Sequence, residues 1–230
     1  MTGGACMIKN EDKQMICEVF DFWEKLKPAE QEEILNNASI VTYRQGESIH
    51  NSLNNCTGVM VIKSGRLRVY ILSEEGKEVT LYHMGQGDVC VLSVSCILKN
   101  ITFDVHIDAE IPTDIILINS DAVERIAKNV YVENFLLNEA VTRFSDVMWA
   151  MEQILFFKLD QRMAIFLLDE ISRNNSDTVI LTHEQIANHL GSAREVVSRM
   201  LRYFSKEGLV QVSRGEVKVT NKAELRKLLR

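Results

Sequence analysis

The spacing of apolar side chains changes twice along the chain, and each change marks a different kind of element. Between Lys9 and Asn37 the residues Val19, Phe20, Trp23, Leu26, Ile34 and Leu35 recur near helical spacing, which predicts two short helices broken at Pro28. From Ala38 to Ile118 the period shortens to alternation. Leu67, Val69 and Ile71 fall on one side and Arg66, Arg68 and Tyr70 on the other, the pattern of a strand half-buried against a core. Turn-forming residues at Gln45-Gly46, Ser64-Gly65, Glu75-Gly76 and Gly85-Gln86-Gly87-Asp88 separate these runs, a punctuation that suits a sandwich or barrel. Without a third glycine or a following helix, Gly85 and Gly87 read as a turn rather than a phosphate loop.

Helical spacing returns after Ser120-Asp121, where Glu124 completes an Asp-x-x-Glu capping box. Within the long tract that follows, Leu137, Val141, Phe144, Met148, Met151 and Leu155 alternate steps of four and three, the seam along which two parallel helices pack. A further amphipathic helix is expected over Asp160–Ser172, then a polar turn over Arg173–Asp177. Thr182 with Gln185 caps the next helix, which closes at His189-Leu190-Gly191. Ser192 is placed to cap its successor, running to about Lys206, and after Gly208 the residues through Val219 read as a β-hairpin.

Length and composition fit two folded domains: of 230 residues, 46% are hydrophobic and 25% charged. No run approaches the ~20 apolar residues of a membrane span, and no secretory pattern opens the chain, so a cytoplasmic protein is expected. Five cysteines at irregular spacing do not make a disulfide framework, so reduced thiols are expected. The net charge of −6 conceals an asymmetry, because residues 181–230 hold ten Lys/Arg against five Asp/Glu while the first 180 hold 16 against 27. A basic tail behind an acidic body points to a nucleic-acid partner for the tail.

The residues of that tail give the charge a purpose. On the second helix Arg194, Glu195, Ser198, Arg199 and Arg202 share one face, and Val197, Met200, Leu201 and Phe204 the other. Arginine grips guanine O6 and N7 bidentately, glutamate accepts from cytosine N4, and serine serves either a base edge or a phosphate. Behind a helix capped at Thr182 and a tight turn at Gly191, such a face predicts a DNA-reading helix-turn-helix. The hairpin is then a wing that brings Arg214 near phosphates.

On these residues the chain resembles the cyclic-AMP receptor/fumarate-nitrate regulator (Crp/Fnr) family over nearly its whole length. The match runs through Ser64-Gly65-Arg66 to Tyr70, Glu75-Gly76-Lys77-Glu78, Gly85 to Asp88, Asp160-Gln161-Arg162 and, most specifically, Arg194-Glu195-x-x-Ser198-Arg199. The resemblance implies an α+β bacterial regulator with three parts: a jelly-roll (β-roll) sensor over residues 1–120, a dimerisation helix over 121–159 and a winged helix-turn-helix over 160–230. It implies a homodimer on double-stranded DNA, at an inverted repeat whose halves carry a TGA core read by Glu195 and Arg199. Arg194 matches the cyclic-AMP branch and Ser198 the fumarate-nitrate branch. RNA polymerase is a further partner to consider, and a membrane is not.

The sensor departs from its best-known relatives. Cyclic-AMP binders of the family place a glutamate and an Arg-Ser pair after the Gly-x-Gly turn, whereas this chain has no arginine between Gly87 and Arg125 and carries Leu92 and Ser93 there. Cyclic AMP is therefore not expected, since a phosphate would lie uncompensated. Cys6 and Cys17 are too sparse for the iron-sulfur arrangement of oxygen-sensing members. What the segment offers is Cys90 and Cys96. Cys90 resembles in position the axial thiolate of carbon-monoxide-sensing haem members, although their exchange histidine is Leu92 here, leaving His83, His106 or a methionine of the dimer helix as substitutes. Three readings stay open: a haem-based sensor of a gas such as nitric oxide, a Cys90–Cys96 thiol switch, and two small buried core residues. A small organic effector is a further alternative.

Enzymatic chemistry is not expected, because no nucleophile-base pattern, phosphate loop or zinc spacing occurs and the five histidines are dispersed. A regulatory module of the same roll that does not bind DNA is the remaining alternative. The winged helix-turn-helix argues against it.

Overall fold

The structure, a computed structural model, describes residues 6–50, 58–91 and 105–229. The chain forms two compact units, one drawn from residues 1–71 and 81–147, the other from 72–80 and 148–230. Cys96, Leu92 and Ser93 lie outside the described residues.

The strands of the first segment are β1 (Cys6–Met7), β2 (Ala38–Tyr43), β3 (Ser48–His50), β4 (Gly58–Ser64), β5 (Leu67–Leu72), β6 (Glu78–Met84), β7 (Val89–Cys90), β8 (His106–Ala109) and β9 (Thr113–Asn119). They form two sheets, ordered β1-β2-β9-β4-β7 and β3-β8-β5-β6, the two-layered arrangement that alternating strands and regular turns require. Met60, Ile62, Leu67, Val69, Met84, Ile107 and Ile115 are fully buried in the core these strands share. Alternation fails at the end of β5. Tyr70 is buried, stacks on His106 with centroids 5.2 Å apart and donates to Asp108 at 2.9 Å, while Ile71 is exposed. The β5–β8 pairing ends at Tyr70↔His106, so nothing in that ladder covers the next side chain.

Gly65, in the turn between β4 and β5, carries φ of 97°, and a Cβ there would meet Thr113 Oγ1 at 2.3 Å. That same hydroxyl accepts from the Arg66 amide at 3.0 Å and donates to the Ile111 carbonyl at 2.8 Å, fixing the turn against the start of β9.

Helices α1 (Asn10–Val19), α2 (Pro28–Asn36), α3 (Ser120–Ile126) and the first half of α4 (Val130–Phe156) share a second core with the sheet. Pro28 begins α2 rather than interrupting it, as its fixed φ and missing N–H allow at a first helical position, and a 3-10 turn at Trp23–Lys25 separates the two helices. The cap of α3 differs from the expected one. Asn119, the last residue of β9, accepts from the Ala122 amide at 3.0 Å, and Asp121 lies inside the first turn. The strand passes directly into the helix, so the capping position falls two residues before Asp121.

The second unit holds α5 (Leu159–Arg173), β10 (Thr178–Val179), α6 (His183–Leu190), α7 (Arg194–Lys206), β11 (Val210–Ser213), β12 (Glu216–Val219) and α8 (Lys222–Lys227). Met163, Leu167, Ile186, Val197, Leu201, Phe204, Val217 and Leu225 meet in its core. β10 and α8 were not expected from the sequence. The first is only two residues long and pairs with β12, about forty residues on; the second is a helix of six residues capped at Asn221. Among the described residues no helix is long and apolar enough to cross a membrane.

Candidate nucleic-acid interface

The helix-turn-helix is set by its caps. Thr182 accepts from the Gln185 amide at 3.2 Å while the Gln185 side chain accepts from the Thr182 amide at 2.8 Å, so the capping box is reciprocal. At the other end of α6 Gly191 takes the left-handed conformation, φ 57°, which an L side chain adopts at a cost. Ser192 does not cap α7. Its amide is drawn back to the Ala187 carbonyl at 2.9 Å, closing the end of α6, and the capping position passes to Ala193.

Arg162 holds the same turn from α5. Its guanidinium donates to the Leu190 carbonyl, placing a cation at the negative end of α6. Burial lowers the pKa of Arg162 from its ordinary value. The sequence marks Asp160-Gln161-Arg162 as an entry motif but shows no acceptor, because the partner is 28 residues away. Glu170, buried in the same unit, receives Arg173 at 3.0 Å and Asn174 at 3.2 Å, so its charge is matched within α5's last turns.

These constraints present α7 with its apolar face inward. Val197, Leu201 and Phe204 are fully buried, Met200 partly so, while Arg194, Glu195, Arg199 and Arg202 are exposed and Ser198 half-buried. The five polar residues line one open groove of about 560 Å³, so the structure brings together on one face the side chains grouped by their spacing. Thr182, His183, Arg194 and Arg214 line a second groove of about 360 Å³, bounded by the hairpin β11–β12, whose turn is Arg214-Gly215. Ser192 lines neither groove as described. His183 was not singled out as a site residue by the sequence. Its Nδ1 lies 2.6 Å from Ser198 Oγ, a pairing fifteen residues apart that only the packed helices reveal.

On α4 the expected seam residues Leu137, Val141, Phe144, Met148, Met151 and Leu155 are between 44% and 65% exposed, so this chain alone leaves the stripe uncovered. On the opposite side of the helix Arg143 is buried, bonded to Asp146 at 2.9 Å and lying near Glu139 and Asp88. Its guanidinium sits 5.5 Å from the centroid of the Tyr82 ring. Burial pushes the Glu139 carboxyl above its ordinary pKa, against the pull of Arg143.

In the roll, Cys90 is fully buried, cross-strand from Met60. Burial, followed by the nearby Cys90 thiol, pushes the Tyr82 phenol up. The turn before Cys90 is closed by Asp88, whose carboxylate accepts from the Gly85 amide at 2.7 Å. His83 lies 3.5 Å from Glu110, and His106 is stacked on Tyr70.

Comparison with known proteins follows the same division. Residues 161–228 match the family described as a Crp-like helix-turn-helix domain, and residues 40–130 that described as a cyclic nucleotide-binding domain. A solved structure described as a transcriptional regulator of the Crp/Fnr family from Eubacterium rectale is 45% identical, covers 93% of this chain and 99% of its own, and superposes with a TM-score of 0.90. The cyclic AMP receptor protein of Thermus thermophilus is 24% identical over 88% of this chain and 94% of its own length. An anaerobic regulatory protein of Aggregatibacter actinomycetemcomitans is 22% identical over 88% and 75% respectively.

Proposed function

This chain belongs to the Crp/Fnr family of transcriptional regulators, DNA-binding proteins rather than enzymes, and on that premise we propose that it binds an inverted-repeat DNA site as a homodimer. The observation that carries the reading is the α7 groove, where three exposed guanidinium-bearing side chains, a carboxylate and a hydroxyl converge on one face. Glu195 and Arg199 read a TGA-type half-site, Arg194 and Ser198 the bases beside it, and Arg202, Thr182 and Arg214 hold phosphates. The second copy is supplied along the α4 seam, whose exposed apolar stripe has the four-three spacing of a parallel pair. RNA polymerase is the further partner this reading admits.

The signal, on this reading, is a redox or reactive-sulfur species received at Cys90, with Cys96 as the second thiol. A haem fits poorly. The thiol has no exposed surface, and Met60, Tyr82 and Met84, which share its core, are themselves buried, so the described residues leave no open slot beside it for a planar macrocycle. A small neutral oxidant reaches such a sulfur more readily than a planar cofactor. The lack of arginine from Gly87 to Arg125 disfavours a cyclic nucleotide.

Two measurements test the reading. Binding of purified protein to inverted-repeat and scrambled duplexes, with and without oxidant, is expected to favour the repeat in one redox state. A monomer without such preference in either state contradicts it. Cys90→Ser and Cys96→Ser are each expected to remove the oxidant response, and an unchanged response in both, or a Soret band after incubation with haemin, moves the signal elsewhere.

A further inference from the structure

Resting on the reading of α7 as a groove-reading helix, we infer that His183 is a specificity-determining positioning residue that fixes which kind of base edge Ser198 recognises. A serine hydroxyl alone is indifferent, since it rotates to donate or to accept. Ser198 is not alone. Its Oγ lies 2.6 Å from Nδ1 of His183, a full hydrogen bond by distance.

Both ends of that bond are held. His183 is the first residue of α6, directly after the reciprocal cap of Thr182 and Gln185. Ser198 sits one turn into α7, beside the fully buried Val197 that docks the helix. Both residues are half-buried, so water competes weakly for the pair.

The hydroxyl has one hydrogen, and the histidine decides where it goes. If Nδ1 accepts it, Ser198 turns only lone pairs toward the groove and favours an amino-bearing edge, adenine N6 or cytosine N4. If Nδ1 carries its own hydrogen and donates, the Ser198 hydrogen is released toward a carbonyl-bearing edge, guanine O6 or thymine O4. Only the first arrangement removes a role, because a hydroxyl that accepts from Nδ1 keeps its hydrogen and a second lone pair; the selective contact is the one in which Nδ1 accepts. His183 itself lines the neighbouring groove with Arg194 and Arg214 and need not touch a base.

The test is selection from a duplex library randomised in one half-site, using the full chain and His183→Ala, His183→Asn, Ser198→Ala and the double variant. The unaltered protein is expected to prefer amino-bearing edges at a single position by about fivefold, a hydrogen bond's worth of discrimination. His183→Ala should reduce this to about twofold or less while preferences at the positions read by Glu195 and Arg199 persist. His183→Asn, whose amide places a polar atom where Nδ1 stands, should restore selectivity, and the double variant should match Ser198→Ala alone. Retention of full preference in His183→Ala overturns the inference. So does an equal loss at every position, which marks a purely structural histidine. If the unaltered protein itself selects no sequence in any redox state, the groove reading beneath the inference has failed.

Discussion

Helices α4 and α7 are built in opposite senses. The second buries Val197, Leu201 and Phe204 in its own unit and leaves arginines and a glutamate outside. The first turns Arg143 inward among Asp146, Glu139 and Asp88, and leaves Phe144, Val141 and Leu155 more than 60% exposed. What a helix leaves outside states the chemistry of what should cover it. A polar face with guanidinium forks suits a polar groove, and an apolar stripe suits another apolar stripe.

The contrast can be broken most severely at the seam. Val141→Glu with Phe144→Glu places unpaired carboxylates in the expected interface of both copies, and dimerisation should weaken by roughly 5 kcal/mol, enough to give monomer at micromolar concentration in sedimentation. An intact dimer shows that the stripe is covered by something other than its own copy. Phe204→Ala attacks the buried side of α7 instead. With no exposed surface to lose, it should destabilise the second unit by about 3 kcal/mol in chemical unfolding, and a loss under 1 kcal/mol contradicts its place in the core.

On the exposed side of α7 the effects should be smaller and informative in kind. Arg199→Ala is expected to cost about 1–3 kcal/mol on the specific site and to relax preference at one base pair, while Arg202→Ala lowers affinity for specific and random duplexes alike and reduces the salt dependence. Equal losses on both duplexes for Arg199→Ala reassign it to the phosphates. Smallest of all, Thr182→Ala removes the α6 cap and should cost about 1 kcal/mol of stability, read as a shift in the unfolding midpoint.

How much of this was legible beforehand follows the range of the interactions. Thr182 with Gln185, and Gly191 at the end of α6, are local signals contained within ten residues, and the structure has them as expected. The polar face of α7 was legible because helical period alone puts five residues together. Where two neighbours competed for one role, tertiary structure decided: Asn119 rather than Asp121 caps α3, and Ser192 gives its amide to the preceding turn instead of capping α7. Long-range pairings left no trace in the pattern. The strand β10, the Arg162 contact to Leu190 and the His183–Ser198 bond each join segments whose separation the sequence does not encode. Cys90 could be placed in the strand region, but its complete enclosure is a property of the packed sheets.

The turn at Gly65 sets a boundary for anyone who would vary this protein. A screen replacing every residue in turn should return an empty column at that position, because any side chain meets both a left-handed backbone and the Thr113 hydroxyl. Gly76 has a similar φ of 78° but open space around it, and should accept asparagine or even alanine with a modest penalty. Two glycines that look alike in sequence thus differ in evolvability, and libraries meant to retune the roll belong at its loop tips rather than at this joint.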